Sequence, residues 1–262
     1  MKVTMLGSGG SGGVPLAGME PGGYWGNADP QNPKNRRMRV SVLVETQGKV
    51  LLIDTSPDLR EQALRFGITR LDAVLFTHAH ADHTHGLDDL RALSYSQKGA
   101  IPAYMSAKTR EQLTLRFDYA FTSSHTNERL YPAIMDDRSF VESFTVEGIP
   151  VTAFPQNHGN AVSWGFRIGD FGYSTDAVAL DENAFAKLAG VKLWIVDCLR
   201  EEPHPTHSHF AQSLEWIARV GPERAVLTHL NHTVDYDTLA AKCPPGVEPG
   251  YDGLTVELPE EE

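Results

Sequence analysis

Positions 77–86 read T-H-A-H-A-D-H-T-H-G, and the reading of this stretch governs the rest of the chain. His78, His80, Asp82 and His83 fall within six positions, directly after L-D-A-V-L-F at 71–76, an apolar run of β-type composition. Imidazole and carboxylate together suit a borderline divalent cation such as zinc, or a neighbour such as manganese or iron. Two apart in an extended segment, His78 and His80 point to one side. Asp82 and His83 lie beyond the corner and can face a second ion. The competing interpretation is a histidine-rich surface loop. Four ligating residues packed behind a buried run make metal binding the expectation.

Short strand patterns dominate both sides of this motif. Strands are predicted at 3–6, 41–45, 50–54, 73–77, 102–105, 142–146, 149–154, 163–168, 171–174, 193–197, 225–228 and 254–257. The turns at 47–49 and 169–170 join strand pairs. A helix is expected after Ser56 as N-cap and Pro57 at the first position, ending at Gly67. Further helices are predicted at 87–96, 109–117, 182–188, 209–220 and 236–242. Hairpins with interspersed helices imply an α/β four-layer αββα sandwich, two mixed β-sheets flanked by helices. No linker, composition break or internal repeat is evident, so residues 1–262 are read as a single domain.

Other candidate ligands follow predicted strands. His158 comes after 149–154, Asp176 after 171–174 and His229 after 225–228. Each alone is weak, but strand ends gather residues distant in sequence. The natural division gives His78, His80 and His158 to one ion and Asp82, His83 and His229 to the other, with Asp176 bridging. Each ion then keeps an open position for a shared water or hydroxide.

The chain resembles the metallo-β-lactamase-fold hydrolase superfamily, whose hallmark is H-x-H-x-D-H after a strand. Within it the chain is most similar to the PhnP-like phosphodiesterases, and next to the tRNase Z branch. The similarity rests on G-S-G-G-S-G-G-V-P at 7–15, L-L-I-D-T at 51–55, N-H at 157–158 and S-T-D at 174–176. It continues in P-T-H-S-H at 205–209 and L-T-H-L-N-H at 227–232. The resemblance implies a binuclear phosphodiesterase that cleaves small cyclic or nucleotide-type phosphodiesters with a metal-bridging hydroxide. Asp82 belongs to its catalytic metal set, and His207 matches the family's general acid. His209, two positions on, is the competitor. Asp54, closing a buried strand, is expected to orient the ligand loop by hydrogen bonds, and Ser11 belongs to a substrate-facing or merely tight turn.

The cofactors expected are two divalent ions, zinc first and manganese second. PhnP-like enzymes hold a separate structural zinc with cysteines after the first strand. Residues 17–28 contain none, so no separate structural zinc is expected. His232 then becomes an ordinary side chain near the site, and the loop must be held otherwise, with Tyr24 and Trp25 as candidates.

Other signals exclude. G-S-G-G-S-G at 7–12 spells a dinucleotide-binding fingerprint, but turn-rich sequence follows instead of a helix. The net charge of −11 argues against an extended nucleic-acid surface. The one basic concentration, K-N-R-R-M-R at 34–39, reads as a solvated loop, with phosphate contact as its alternative. His85 and His204 are expected at the rim or behind the ligands. His125 falls in a polar loop, and Cys198 reads as a small buried residue. With two cysteines, no apolar run of membrane-spanning length and no signal-peptide pattern, the chain is expected in the cytoplasm, away from membranes. The expected partner is a small phosphodiester, with a homodimer left open.

Three other activities stay open. A tRNA 3′-processing nuclease should be basic with a docking arm, and a thioesterase or lactamase would share the same metal set. A non-hydrolytic iron redox member should carry a flavin domain or substitutions among the residues that support the ligands.

Overall fold

The computed structural model describes residues 1–122 and 132–259. The expectation for His125 lies outside the described residues. The strands are β1 (Lys2–Gly7), β2 (Ser41–Thr46), β3 (Lys49–Ile53), β4 (Ala73–Leu75), β5 (Ile101–Met105), β6 (Met135–Ser139) and β7 (Ser143–Val146). They continue as β8 (Ile149–His158), β9 (Ala161–Ile168), β10 (Phe171–Ser174), β11 (Leu193–Asp197), β12 (Arg224–Thr228), β13 (Val247–Pro249) and β14 (Thr255–Glu257). The helices are α1 (Leu59–Phe66), α2 (Ala81–Thr84), α3 (Leu90–Gln97), α4 (Ala107–Arg116), α5 (Asp118–Phe121), α6 (Glu182–Leu188), α7 (Phe210–Val220) and α8 (Tyr236–Ala240).

Two mixed sheets form, in the orders β14-β1-β2-β3-β4-β5-β6 and β13-β12-β11-β10-β9-β8-β7. Strand alternation decides what each face buries. Leu51 and Ile53 point between the sheets, into a cluster with Val42, Val44, Phe166, Tyr173 and Ile195. Leu43 and Leu52 point outward, against Leu59 of α1, Leu90 of α3 and Leu113 of α4. On the second sheet Trp194 and Val196 point outward against Leu188 of α6, Trp216 of α7 and Leu239 of α8. Each such side chain contributes about 1.5–3 kcal/mol on full burial. Both sheets are apolar on both faces, so helices must cover the outer ones, and the αββα order follows.

The structure corrects the absence of a repeat. From β7 the second sheet runs antiparallel through β8, β9 and β10, then parallel through β11, β12 and β13. From β14 the first sheet runs the same way through β1, β2 and β3, then parallel through β4, β5 and β6. The hydrogen bonding repeats too. Ser41 Oγ donates to the carbonyl of Asp54, thirteen residues on, at 2.9 Å. Ser163 Oγ donates to that of Asp176, also thirteen residues on, at 2.7 Å.

Sequence reading missed the edge strands β6 and β13. M-D-D-R-S in β6 lacks an apolar alternation, and V-E-P in β13 is short and ends in proline, as edges tolerate. It also stopped β8 at Phe154. The strand continues through Pro155, beyond the end of its pairing with β7, so the missing N–H costs no ladder bond there. The first helix starts later than Ser56 and Pro57 suggest, because Ser56 Oγ accepts the Asp58 N–H at 3.0 Å and holds the preceding turn. Gly67 ends it in the left-handed region, at φ 66°.

Candidate active site

Strands β3, β4, β10 and β12 end at one cleft and deliver Asp54, His78, Asp176 and His229 to it. Asp54, Asp176 and His229 all turn with a positive φ, of 62°, 55° and 62°. Non-glycine residues rarely hold that conformation, and such strain concentrates at functional sites. The one-turn helix α2 presents Asp82 and His83, with His80 as its N-cap, and β8 ends on His158.

Asp176 organises the cleft. Its Oδ2 lies 3.7 Å from His78 Nε2 and 3.4 Å from His158 Nε2, and His158 Nε2 lies 3.2 Å from His80 Nδ1. Its Oδ1 lies 3.1 Å from His83 Nε2 and 3.4 Å from His229 Nε2. Those two rings face Asp82 Oδ2 at 3.3 and 3.4 Å. The ligand-capable atoms of each set all lie within 4.8 Å of one another. The structure thus brings together all seven residues singled out in the sequence, in two groups that share Asp176.

The outer ring nitrogens are engaged. His83 Nδ1 donates to Asp54 Oδ2 at 2.7 Å. Asp54 also accepts the Thr77 N–H at 2.8 Å and the Thr77 hydroxyl at 2.7 Å. That hydroxyl accepts from His78 Nδ1 at 3.0 Å, and the Thr206 carbonyl accepts from His158 Nδ1 at 2.8 Å. With Nδ1 protonated on His78 and His158, their bare Nε2 atoms face inward. On His83 burial is outweighed by Asp176, Asp82 and Asp54, which hold a proton on the inward Nε2 as well, one that a cation would displace. His78 Nε2 and His83 Nε2 are buried without a hydrogen-bond partner. Leaving such groups unmatched costs about 1–3 kcal/mol each. Burial, then the His83 charge, holds His78 well below its usual pKa, so it resists taking up a proton instead. Orphaned imidazole nitrogens beside carboxylates fit a divalent cation in each group.

Beyond Asp176 lies His207, its Nε2 3.9 Å from Asp176 Oδ2 and its ring stacked on His229 at 4.6 Å. Burial pulls its pKa down, but Asp197 and Asp176 outweigh this and lift it to about 9. Sequence reading did not single out Asp197. It is fully buried, its Oδ2 lies 3.4 Å from His207 Nδ1, and it accepts the Ser208 N–H at 3.0 Å. The available signal was its place at the end of an apolar strand, as with Asp54. His209 caps α7 and does not line the cleft.

The cleft encloses about 440 Å³ and is lined by Ser11, Asn160, Ala161, His204 and Thr206 beside the clustered residues. Ser11 therefore sits on its wall, in the glycine loop. Gly10 passes so close to His229 that a Cβ would come within 3.3 Å of its Nδ1. No helix follows this loop, in keeping with the rejection of a dinucleotide site. His85 lies outside, its ring against Phe117 at 5.3 Å.

His232 is not in the cleft lining. Its carbonyl accepts the Asn27 N–H at 2.9 Å and its ring meets Tyr24 at 5.5 Å, while Arg36 lies over Trp25 at 5.0 Å. Tyr24 and Trp25 thus make the packing contacts expected of them. The basic run is largely structural. Lys34 sits over the rings of Tyr236 and Tyr251, Arg37 is buried and donates to the Asn231 and Val234 carbonyls, and Arg39 pairs with Asp58 at 2.6 Å.

Comparison with known proteins agrees with this geometry. Residues 49–230 match the family model described as the beta-lactamase superfamily domain. The crystal structure of a diphosphatase from the PhnP family superposes with a TM-score of 0.89 at 33% identity, over 99% of this chain and 98% of that one. An octanoyltransferase of Porphyromonas gingivalis (strain ATCC BAA-308 / W83) is 33% identical over 97% of this chain, which spans about half (51%) of that protein's length. The anti-Pycsar protein Apyc1 of Paenibacillus harenae is 28% identical over 74% of this chain and 84% of its own. Family match, strand order and clustered residues converge: the chain belongs to the beta-lactamase superfamily and has the metallo-β-lactamase fold.

Proposed function

We propose that the chain is a binuclear metal-dependent phosphodiesterase acting on small phosphodiesters, with His207 as general acid. The observation that carries this reading is the double face of Asp176, one carboxylate oxygen toward each ligand group, with His207 beyond it. The similarity to a PhnP-family diphosphatase supports phosphoryl chemistry. His78, His80 and His158 would hold one ion and Asp82, His83 and His229 the other. When bound, such ions activate water and neutralise a phosphoryl oxygen.

The chain's own groups do the rest. Asp54, Thr77 and the Thr206 carbonyl fix the imidazole tautomers. Asp197 holds His207 at Nδ1, and its Nε2–H faces the cleft to protonate a departing alkoxide. Zinc fits the donor set best, with manganese next. The acidic chain, together with the packed-down basic run, supports a small substrate over an extended nucleic acid. None of the helices among the described residues is long and apolar enough to cross a membrane.

The name of the Porphyromonas relative raises acyl transfer. Half of that protein has no counterpart here, and Cys198 is a poor nucleophile. It is fully buried, and burial, then the Asp197 charge, pushes its thiol far up.

The test is a screen of metal-reconstituted protein against bis-p-nitrophenyl phosphate, 2′,3′-cyclic nucleotides, a thioester and a β-lactam. Phosphodiester turnover that chelation abolishes is expected. Efficient thioester cleavage with inert phosphodiesters would sink the proposal. Asp54→Asn should weaken metal binding by about 10- to 100-fold with the fold intact, as losing a ligand's hydrogen-bond partner typically does. Metal titration followed by thermal unfolding checks it, and an unchanged affinity would remove Asp54 from this role.

A further inference from the structure

Thr206 joins two histidines with different outlooks. Its carbonyl accepts His158 Nδ1–H at 2.8 Å, which aims His158 Nε2 at Asp176. Its own N–H lies 3.4 Å from His204 Nδ1, and its hydroxyl 3.2 Å from the same atom. A backbone N–H can only donate, so His204 Nδ1 is the acceptor and the ring proton sits on Nε2. Packing fixes the segment: a Cβ on Gly159, which has φ 69°, would come within 2.6 Å of the Thr206 methyl group. His204 is half-buried, lines the cleft, and its ring centre is 5.2 Å from that of His207. Its Nε2–H has no partner among the described residues. The Nδ1 side of the ring is taken up by Thr206, which leaves Nε2–H as the ring's one free donor.

We propose that His204 is a substrate-binding and specificity-determining residue, whose Nε2–H donates a hydrogen bond to an oxygen neighbouring the departing one on the leaving alcohol. This rests on the phosphodiesterase reading, because His207 as general acid places the leaving group on the side where His204 stands. The remaining lining on that side, Asn160 and Thr206, is also neutral and hydrogen-bonding. No lysine or arginine lines the cleft among the described residues, so a second anionic group finds no cation there. Leaving alcohols with a neighbouring hydrogen-bond acceptor are therefore favoured over plain aryl or alkyl ones.

The test compares wild type, His204→Ala and His204→Gln on a 2′,3′-cyclic nucleotide, whose leaving oxygen has a vicinal oxygen, and on bis-p-nitrophenyl phosphate, which has none. In His204→Ala the KM for the cyclic nucleotide should rise about 3- to 10-fold, the effect of one neutral hydrogen bond. The KM for the aryl ester and the metal content should stay at wild-type values. His204→Gln, whose amide nitrogen can stand near the place of Nε2, should recover part of the loss. In wild type, heteronuclear NMR of the imidazole nitrogens should show His204 protonated at Nε2 and bare at Nδ1. Equal losses on both esters, no loss on either, or a proton on Nδ1 would overturn the inference. A wild type inert on both esters overturns the phosphodiesterase reading, and this inference falls with it.

Discussion

Asp176→Ala is expected to abolish the metal centre rather than weaken it, with activity falling by at least about 10³-fold. That exceeds the 10- to 100-fold typical of losing a partner outside the ligand set. Asp176 is the shared member of both groups, with His78 and His158 on one oxygen and His83 and His229 on the other. Its removal leaves imidazoles packed together without the carboxylate that balances them. Burial opposes its charge, but His229 and His83 overcome this and hold it well below the usual carboxylate range, so it is ionised at every working pH. Metal analysis should give about two ions per wild-type chain, as a binuclear hydrolytic site holds, and less than one in the variant. A metal at 1,000 times its dissociation constant stabilises the fold by about 4 kcal/mol. The variant should therefore lose most of the metal-induced rise in Tm. A variant that kept both ions would refute the bridging role.

Much of the proposed centre was legible because candidate metal ligands obey a simple grammar. They follow apolar strands, and the strands are short enough to recognise from composition. His158, Asp176 and His229 were each found at the end of such a run. Asp197 obeys the same grammar and was passed over, because its partner His207 lies ten residues on and only the folded chain sets the two at 3.4 Å. Pro155 misled the reading of β8, since proline in a strand is harmless where the neighbouring strand has already ended.

The repeat was illegible for a different reason. The two halves share strand directions and a serine-to-aspartate hydrogen bond, but the side chains around them differ with the layer they pack against. One backbone device thus serves two ends. After β3 it places Asp54 to hold Thr77 and His83, and after β10 it places Asp176 between two ligand groups. Sequence alone shows two aspartates after strands, and the packing beyond each decides which one orients ligands and which one faces them.

Replacing His207 with alanine should leave the metal content intact and lower kcat by about 10²- to 10⁴-fold, the usual contribution of a general acid. The loss must depend on the leaving group. An alkoxide needs a proton to depart, so cyclic nucleotides should show the full effect. p-Nitrophenolate leaves without help, so bis-p-nitrophenyl phosphate should lose far less. A purely structural role for His207 would lower both rates alike, which makes the ratio between the two esters the decisive measurement. The pH profile gives a second check. Asp197 and Asp176 raise the His207 pKa to about 9 despite its burial, and two neighbouring cations would pull it back down. His207 therefore loses its proton as pH rises, and kcat for the cyclic nucleotide should fall on an alkaline limb at or below about pH 9. That limb should vanish in His207→Ala and shift to lower pH in Asp197→Asn, where the charge holding the proton is gone. If His209→Ala instead reproduced both the leaving-group dependence and the lost limb, the proton donor would be His209, and the stacking of His207 on His229 would be structural.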